Sequence, residues 1–481
     1  MSQDIVEAIN YENLRVKGYN LEYIKELKIT CDINEHAGLK LTGILKNEQN
    51  DKDVFETSSN KTIEVYYEGS NAETLFYGIV TNVEVEVDVE IYTLTIEAKS
   101  MSYLLDVKLK SRSFQNTSLS VHSLIQQIMS EYGNAEYILN IPDEPVGELL
   151  IQYEESDWEF LKRIVSKFNA GLIITINSKN IGYVAGVPEK YKELKTPLIE
   201  YDVHKDIDDY EYILENYLQD AEEKDYITYK VKSYELFNLG DSTTLEEIKF
   251  YVLKSQYEIN NGVLENTYTM RIKNGLRQKR LFNTKVVGTS ISGKIIGVQN
   301  DKVQIHLDID KSQDTSSAYC FEFSTMSASS DGSGWYCMPE VGDSVRAYFP
   351  TKDEDETFAI SAVNGYKQGS GEAEDRMGNP DNKYLRTAND KQVTLKPDGI
   401  AISCDSGQAD MNLSSDGTLT ITSQNNININ AKENIKIEAS KSFFITASQG
   451  INISCDKNGG LNFDESGQIK EMGVQVNNNY E

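Results

Sequence analysis

His36, His122, His204 and His306 are the only histidines in this 481-residue sequence. With five cysteines they are the side chains best suited to act as general base, nucleophile or zinc ligand. They fall singly into different predicted elements, with no His-Glu-x-x-His pattern and no Cys/His spacing that suits zinc, so each reads as structural. Cys31, Cys320, Cys337, Cys404 and Cys455 form an odd set without a Cys-x-x-Cys pair, in a chain too long to need disulfide staples. They read as reduced, buried small hydrophobes of a protein made in the cytoplasm. No Gly-x-Ser-x-Gly elbow, Walker A loop or Gly-x-Gly-x-x-Gly turn occurs, so nucleotide chemistry and the commonest hydrolase arrangement lack support. Asp308, Asp310 and Asp314 place acidic oxygens at spaced loop positions, as a hard cation requires. That loop lacks the glycine and the distal glutamate of an EF-hand and reads as solvated. No catalytic, cofactor or metal residue is expected.

Composition sets the elements that remain. Plentiful Tyr (29) and Gly (31) with scarce Pro (8) and Trp (2) suit a β-rich chain with many turns, and the length suggests about three domains. A net charge of −29, from 76 acidic against 47 basic residues, repels phosphate backbones and anionic lipid, so neither nucleic acid nor a membrane surface is an expected partner. The first ten residues hold no sustained apolar run, and nowhere do about 18 apolar residues follow one another, so neither a signal peptide nor a spanning helix is expected. From 1 to about 100 the apolar residues alternate with polar ones, as in 61–67 and 81–88, which predicts half-buried antiparallel strands in a sandwich or barrel. The period shifts at 118–129, where Leu119, Leu124, Ile125 and Ile128 predict a helix. A second helix opens at Ser156, with Glu159 completing a capping-box pattern and Trp158, Leu161, Ile164 and Val165 on one apolar face. Strands resume at 171–176 and continue through 226–232 and 262–270 into a second β unit. The basic cluster at 271–280 reads as a counter-charge between domains or subunits of an acidic protein. A compact β segment at 282–365 contains a hairpin signal around Gln299, Asn300 and Asp301, and 366–383 reads as a linker.

The feature that decides the architecture is a repeat of eight residues, six blocks long, from 409 to 456. Its third and fifth positions are apolar throughout: Met411 and Leu413, Leu419 and Ile421, Ile427 and Ile429, Ile435 and Ile437, Phe443 and Ile445, Ile451 and Ile453. The seventh is small: Ser415, Ser423, Ala431, Ala439, Ala447, Cys455. These positions share one face of a strand, so each block predicts one short strand with one apolar side and a polar corner. An extended octad spans only ~26 Å, too little for one chain to pass round three faces and enclose a core. Three identical chains that each supply one face per level would bring every apolar side to a shared axis. The twelve residues at positions three and five are therefore the expected axis of an intertwined trimeric β-helix about 29 Å tall. The alternative is a flat or sandwich-like sheet in which eight is merely a hairpin length.

With the octads in place, the chain resembles the VgrG and phage tail-spike family over almost its whole length. The resemblance is most specific in the run 334–349 followed by 358–365, which is similar to the family's OB-fold signature and contains Trp335, Tyr336, Pro339, Val341, Gly342, Asp343, Val345 and Gly365. The segment 152–164 is similar to the helix that separates the two barrels of the family's hub module. The resemblance implies a mainly β chain: a first tube-like barrel at 1–110, a helical connection at 111–170, a second barrel at 171–283, an OB-fold at 284–365, a linker at 366–390, and needle and tip at 391–481. It also implies a homotrimer that joins inner tube or tube-initiator proteins and baseplate components to a puncturing needle, delivered outside the cell or into a target envelope, with effector cargo as a further option. The chain departs from some relatives. The linker leaves no room for a lysozyme domain, and no histidine beyond His306 is available for an iron-capped tip, so a separate PAAR-like protein is expected to cover the end at Leu461 and Phe463. A receptor- or glycan-binding fibre and a polysaccharide-processing β-helix are the competing functions.

Overall fold

The computed structural model describes residues 9–46, 52–68, 73–89, 91–188, 200–245, 247–329, 331, 333–361, 379–387, 389–405, 407–455 and 459–475. The amino-terminal residues 1–8, most of the expected linker, Gly365 and residues 476–481 lie outside them. The chain divides into two compact units, Met1–Asn364 and Gly365–Glu481.

The first unit is built on an eleven-stranded sheet. Strands Leu14–Lys17, Thr62–Tyr67, Glu73–Asp88, Ile91–Ser100, Gly38–Leu45 and Leu21–Asp32 lie side by side, and the order continues through Ile248–Asn260, Val263–Arg271, Ile227–Ser233 and Glu200–Lys205. The two halves of this one sheet meet where Leu21–Asp32 pairs antiparallel with Ile248–Asn260, Cys31 opposite Ser255. Alternation explains the sheet's buried side: Leu264, Asn266, Tyr268 and Met270 of Val263–Arg271 are buried, and the residues between them are not. Between the halves lie helix Val121–Met129, which buries Leu124, Ile125 and Ile128, and helix Asp157–Ser166, which buries Trp158, Leu161, Ile164 and Val165. Half of the expected capping box forms: the Ser156 hydroxyl accepts the Glu159 N–H at 3.1 Å, while the Glu159 carboxylate pairs with Lys162 at 2.8 Å.

The segment after 283 closes into a five-stranded barrel in the order Ser290–Gln299, Lys302–Leu307, Cys320–Phe323, Phe358–Ser361, Ser344–Tyr348. Asn300, in the left-handed region at φ 54°, makes the expected tight turn between the first two strands. The barrel core of Ile291, Ile295, Val303, Ile305, Leu307, Phe321 and Val345 also takes in Leu149 and Ile151, so barrel and helical segment share one apolar interior.

The second unit contains two antiparallel meanders. Lys383–Arg386, Lys391–Lys396, Gly399–Cys404, Ala409–Ser414 and Leu419–Ser423 form one, and Gly450–Cys455, Gly459–Asp464 and Ile469–Met472 form the other. No strand is formed between them, and every residue from 424 to 449 is exposed.

Candidate assembly surface

Of the six octads, the first, second and sixth are strands. The third to fifth make no ladder in a single chain, because no strand among the described residues stands beside them to accept their N–H groups. Their apolar positions lie open to water: Ile427 55%, Ile429 69%, Ile435 52%, Ile437 65%, Phe443 59% and Ile445 54% exposed. The strands that do form put the stripe on one sheet face. Val393, Ile402, Met411 and Ile421 stand opposite one another in successive strands, and Leu395, Ile400, Leu413 and Leu419 make a second row. Most of these side chains are more than a third exposed. Sequence reading missed the first members, Val393, Leu395, Ile400 and Ile402, because their hairpin spacing does not follow the octad, although the alternation in 391–404 marks them. Leu461 and Phe463 pair with Ile453 and Ile451, so two apolar rows also form in the last meander.

The barrel signature divides in two. Val345 is in the core, and Gly342, at φ 98°, turns the chain so that its N–H donates to the Ile295 carbonyl at 2.8 Å while the Ile295 N–H donates to Asp343 O at 3.0 Å. The Asp343 carboxylate accepts the Glu340 N–H at 2.9 Å. Trp335, Tyr336 and Val341 are exposed, with the Tyr336 hydroxyl donating to Asn300 O at 2.8 Å; Pro339 is half-buried, and Gly365 is among the undescribed residues.

Barrel and helical segment are locked by groups that no motif announced. Arg163 is buried between Glu155 at 3.0 Å and Glu354, 191 residues away, at 2.5 Å, and donates to the Ile151 carbonyl at 2.7 Å. Burial raises both carboxylates above the ordinary Glu range against the pull of Arg163, the expected outcome for two acids sharing one cation. Asp310, from the loop that suggested a cation site, is half-buried and accepts the Ser113 N–H at 2.7 Å and its hydroxyl at 2.5 Å. The carboxylate is thus spent on joining barrel to helical segment.

Asp157 anchors a second network, accepting from Arg112 at 2.8 Å, Tyr132 at 2.6 Å and Gln152 at 2.9 Å, and pairing with Lys110. Burial pushes its carboxyl up, but Lys110, Tyr132, Gln152 and Arg112 outweigh burial and the net shift is downward. A depressed acid stabilises the fold above its unfolded value and loses that contribution as pH falls through the folded one. Asp157→Asn should therefore lower the melting temperature at neutral pH and flatten its decline below the ordinary Asp range, as read by calorimetry across pH. A melting curve with an unchanged acid limb would show that the network does not titrate.

Of the cysteines expected to be buried, only Cys31 is; Cys320 and Cys404 are half-buried, and Cys337 and Cys455 are exposed. His36 lies between the Ser102 hydroxyl at 2.8 Å and Asp106 at 3.4 Å, an order of groups that resembles a hydrolytic triad. Ser102 is buried, and the imidazole lies 4.4 Å from the Trp158 ring, tilted by 35°. Glu148, Asp353 and Asp355 lie close enough to share an ion, but Glu148 already holds Lys167 at 2.6 Å and Arg280 at 3.2 Å. The basic cluster finds its counter-charges within the chain: Arg271 with Asp209, Arg277 with Asp220 and Asp225, and Arg280 with Glu148.

Residues 40–175 match the phage tail baseplate hub (GPD) family. No curated protein sequence matches the chain. Among solved structures, the E. coli c3393 protein, described as a component of the type VI secretion system with structural similarity to the T4 bacteriophage tail proteins gp27 and gp5, matches at TM-score 0.54 and 11% identity, over 72% of this chain and 98% of its own. The lidded Francisella PdpA-VgrG complex matches at TM-score 0.53 and 10% identity over 85% of this chain and 79% of its own, and the lidless complex at 0.53 and 11% over 85% and 97%. At such identities the likeness is one of fold. Residues 40–175 thus match the phage tail baseplate hub family, and the chain shares its fold with the type VI component and the VgrG complexes.

Proposed function

We propose that three copies of this chain form the spike of a contractile injection machine, in which the first unit couples to the inner tube and baseplate and the second forms the puncturing needle. The observation that carries the reading is the open apolar stripe from Ile427 to Ile445. Each such side chain removed from water is worth about 1.5–3 kcal/mol, and a single chain has no surface with which to cover it. Three chains give each octad two neighbours, so the unpaired backbone and the apolar face are satisfied in one step. Rigidity is then the mechanism: bending the needle must break several interchain ladders together.

In this reading Met411, Leu413, Leu419, Ile421, Ile427, Ile429, Ile435, Ile437, Phe443, Ile445, Ile451 and Ile453 line the trimer axis. Leu461 and Phe463, in register with Ile453 and Ile451, extend it. With Leu461 and Phe463 in the axis rather than at the tip contact expected of them, a PAAR-like tip protein covers the last strand of the second meander, where Ile469, Met472 and the nearby Val474 are exposed. The proposed role needs no catalytic residue. Light scattering tests it: a chain of 54.3 kDa should have a mass of about 3 × 54.3, or 163 kDa, in solution. A well-folded 54.3 kDa species at working concentration would overturn the reading.

A further inference from the structure

The segment 200–226 carries eleven acidic residues against Lys205 and Lys224, so 2 − 11 gives −9 of the chain's −29 within 27 residues. Its strand, Glu200–Lys205, is one edge of the large sheet, paired on one side with Ile227–Ser233 and exposed at all six residues. Its helix, Ile207–Asn216, is capped by Asp206, whose carboxylate accepts the Asp209 N–H at 3.1 Å, and it buries no residue completely.

The helix has two unlike faces. On one, Asp209 lies 3.7 Å from Arg271, and Tyr210, Ile213 and Leu214 pack on Leu218, Ala221 and Tyr226. On the other, Ile207, Asp208, Glu211, Tyr212 and Glu215 recur at the three- and four-residue spacing of one stripe, all of them exposed. Ile207 and Tyr212 are 54% and 52% exposed, and Tyr201 and Val203 of the edge strand 53% and 48%. Asp208, Glu211 and Glu215 have no ion-pair partner among the described residues. Four cations around the segment pair with its other carboxylates, Arg277 with Asp220, Lys205 with Glu223, Lys224 with Glu222 and Lys232 with Glu200, and Lys279 sits 5.6 Å from the Tyr217 ring. One face of the helix is therefore neutralised and packed, while the other keeps both its apolar groups and its carboxylates open.

We infer that this face docks a cationic, partly apolar surface of a different protein in the same machine; the inference rests on the hub reading above. Charge complementarity selects the occupant: Lys or Arg side chains would neutralise Asp208, Glu211 and Glu215, while apolar groups cover Ile207 and Tyr212. A second copy of the chain is a poor occupant, because its same face presents the same carboxylates and the arginines of its basic cluster are paired within the chain.

The test uses particles purified from the producing cells, with a photo-cross-linking residue in place of Glu211. The expected product is a cross-link to one other polypeptide through a Lys- or Arg-rich segment. A chain carrying Asp208→Lys, Glu211→Lys and Glu215→Lys should keep its melting temperature yet enter particles about tenfold less or worse. Cross-links to another copy of this chain or to an acidic segment, or none in particles that contain the chain, overturn the inference. So does normal incorporation of the triple variant. Failure to find the unchanged chain in any particle would overturn the hub reading and this inference with it.

Discussion

Arg163→Met is expected to destabilise the first unit by about 3–5 kcal/mol, the range for removing one partner from a buried ion pair. The side chains of Arg163, Glu155 and Glu354 are 6%, 9% and 6% exposed, so water cannot replace the lost cation. With domain stabilities of about 5–15 kcal/mol, that loss is a large share of the whole. Its pH dependence separates charge from packing. Both carboxylates already sit above the ordinary Glu range because burial disfavours their charge, and Arg163 holds them down. An acid raised in the folded state contributes stability that is fully present below its unfolded value and lost as pH rises through the folded one. Without Arg163 both values rise further, so the deficit should be greatest at neutral pH and shrink toward the ordinary Glu value of about 4.3. Calorimetry of variant and unchanged chain across that window measures it. A deficit independent of pH would mean that Met fails to fill the site and that the charges are incidental. Arg163→Lys should recover part of the loss, since a point charge replaces the fork that reaches Glu155, Glu354 and the Ile151 carbonyl together.

Local period made much of this fold legible in the sequence. The helix carrying Trp158, the turn at Asn300 and the alternation of Val263–Arg271 depend on residues within a few positions of one another, and each lies where its spacing places it. What period cannot give is the partner. Leu21–Asp32 pairs with Ile248–Asn260 across more than two hundred residues, and nothing in either strand names the other. Glu354 looks like one acid among many until Arg163 meets it. Asp310 carries the opposite lesson: its loop has a spacing that suits a cation, yet the carboxylate is occupied by Ser113. In the first two octads the apolar positions share one sheet face, but as an antiparallel meander within one chain: Asp416 with Gly417 is the turn pair between them, as Asp398 with Gly399 is between two strands before them. Only where such pairs stop, between Ser423 and Gly450, does the single chain form no strand on the stripe.

Ile437→Asp tests that stripe at its middle. Ile437 is 65% exposed in the single chain, so an aspartate there costs the isolated chain little. In a three-chain needle the same change sets three carboxylates against one another at the axis, and each unpaired buried ion costs several kcal/mol. The expected result is a 54.3 kDa species in place of one near 163 kDa, with the first unit melting as before because the substitution lies in the other unit. Two controls fix the cause. Ile437→Val removes one methylene and should keep the trimer, at about 0.5–1.5 kcal/mol per chain. Lys436→Gln alters the neighbouring position, whose side chain points to the opposite face and pairs with Glu438 at 2.6 Å, and should leave assembly intact. If Lys436→Gln dissociated the needle while Ile437→Asp did not, the inward and outward faces would be exchanged, and with them every axial position from Met411 to Ile453.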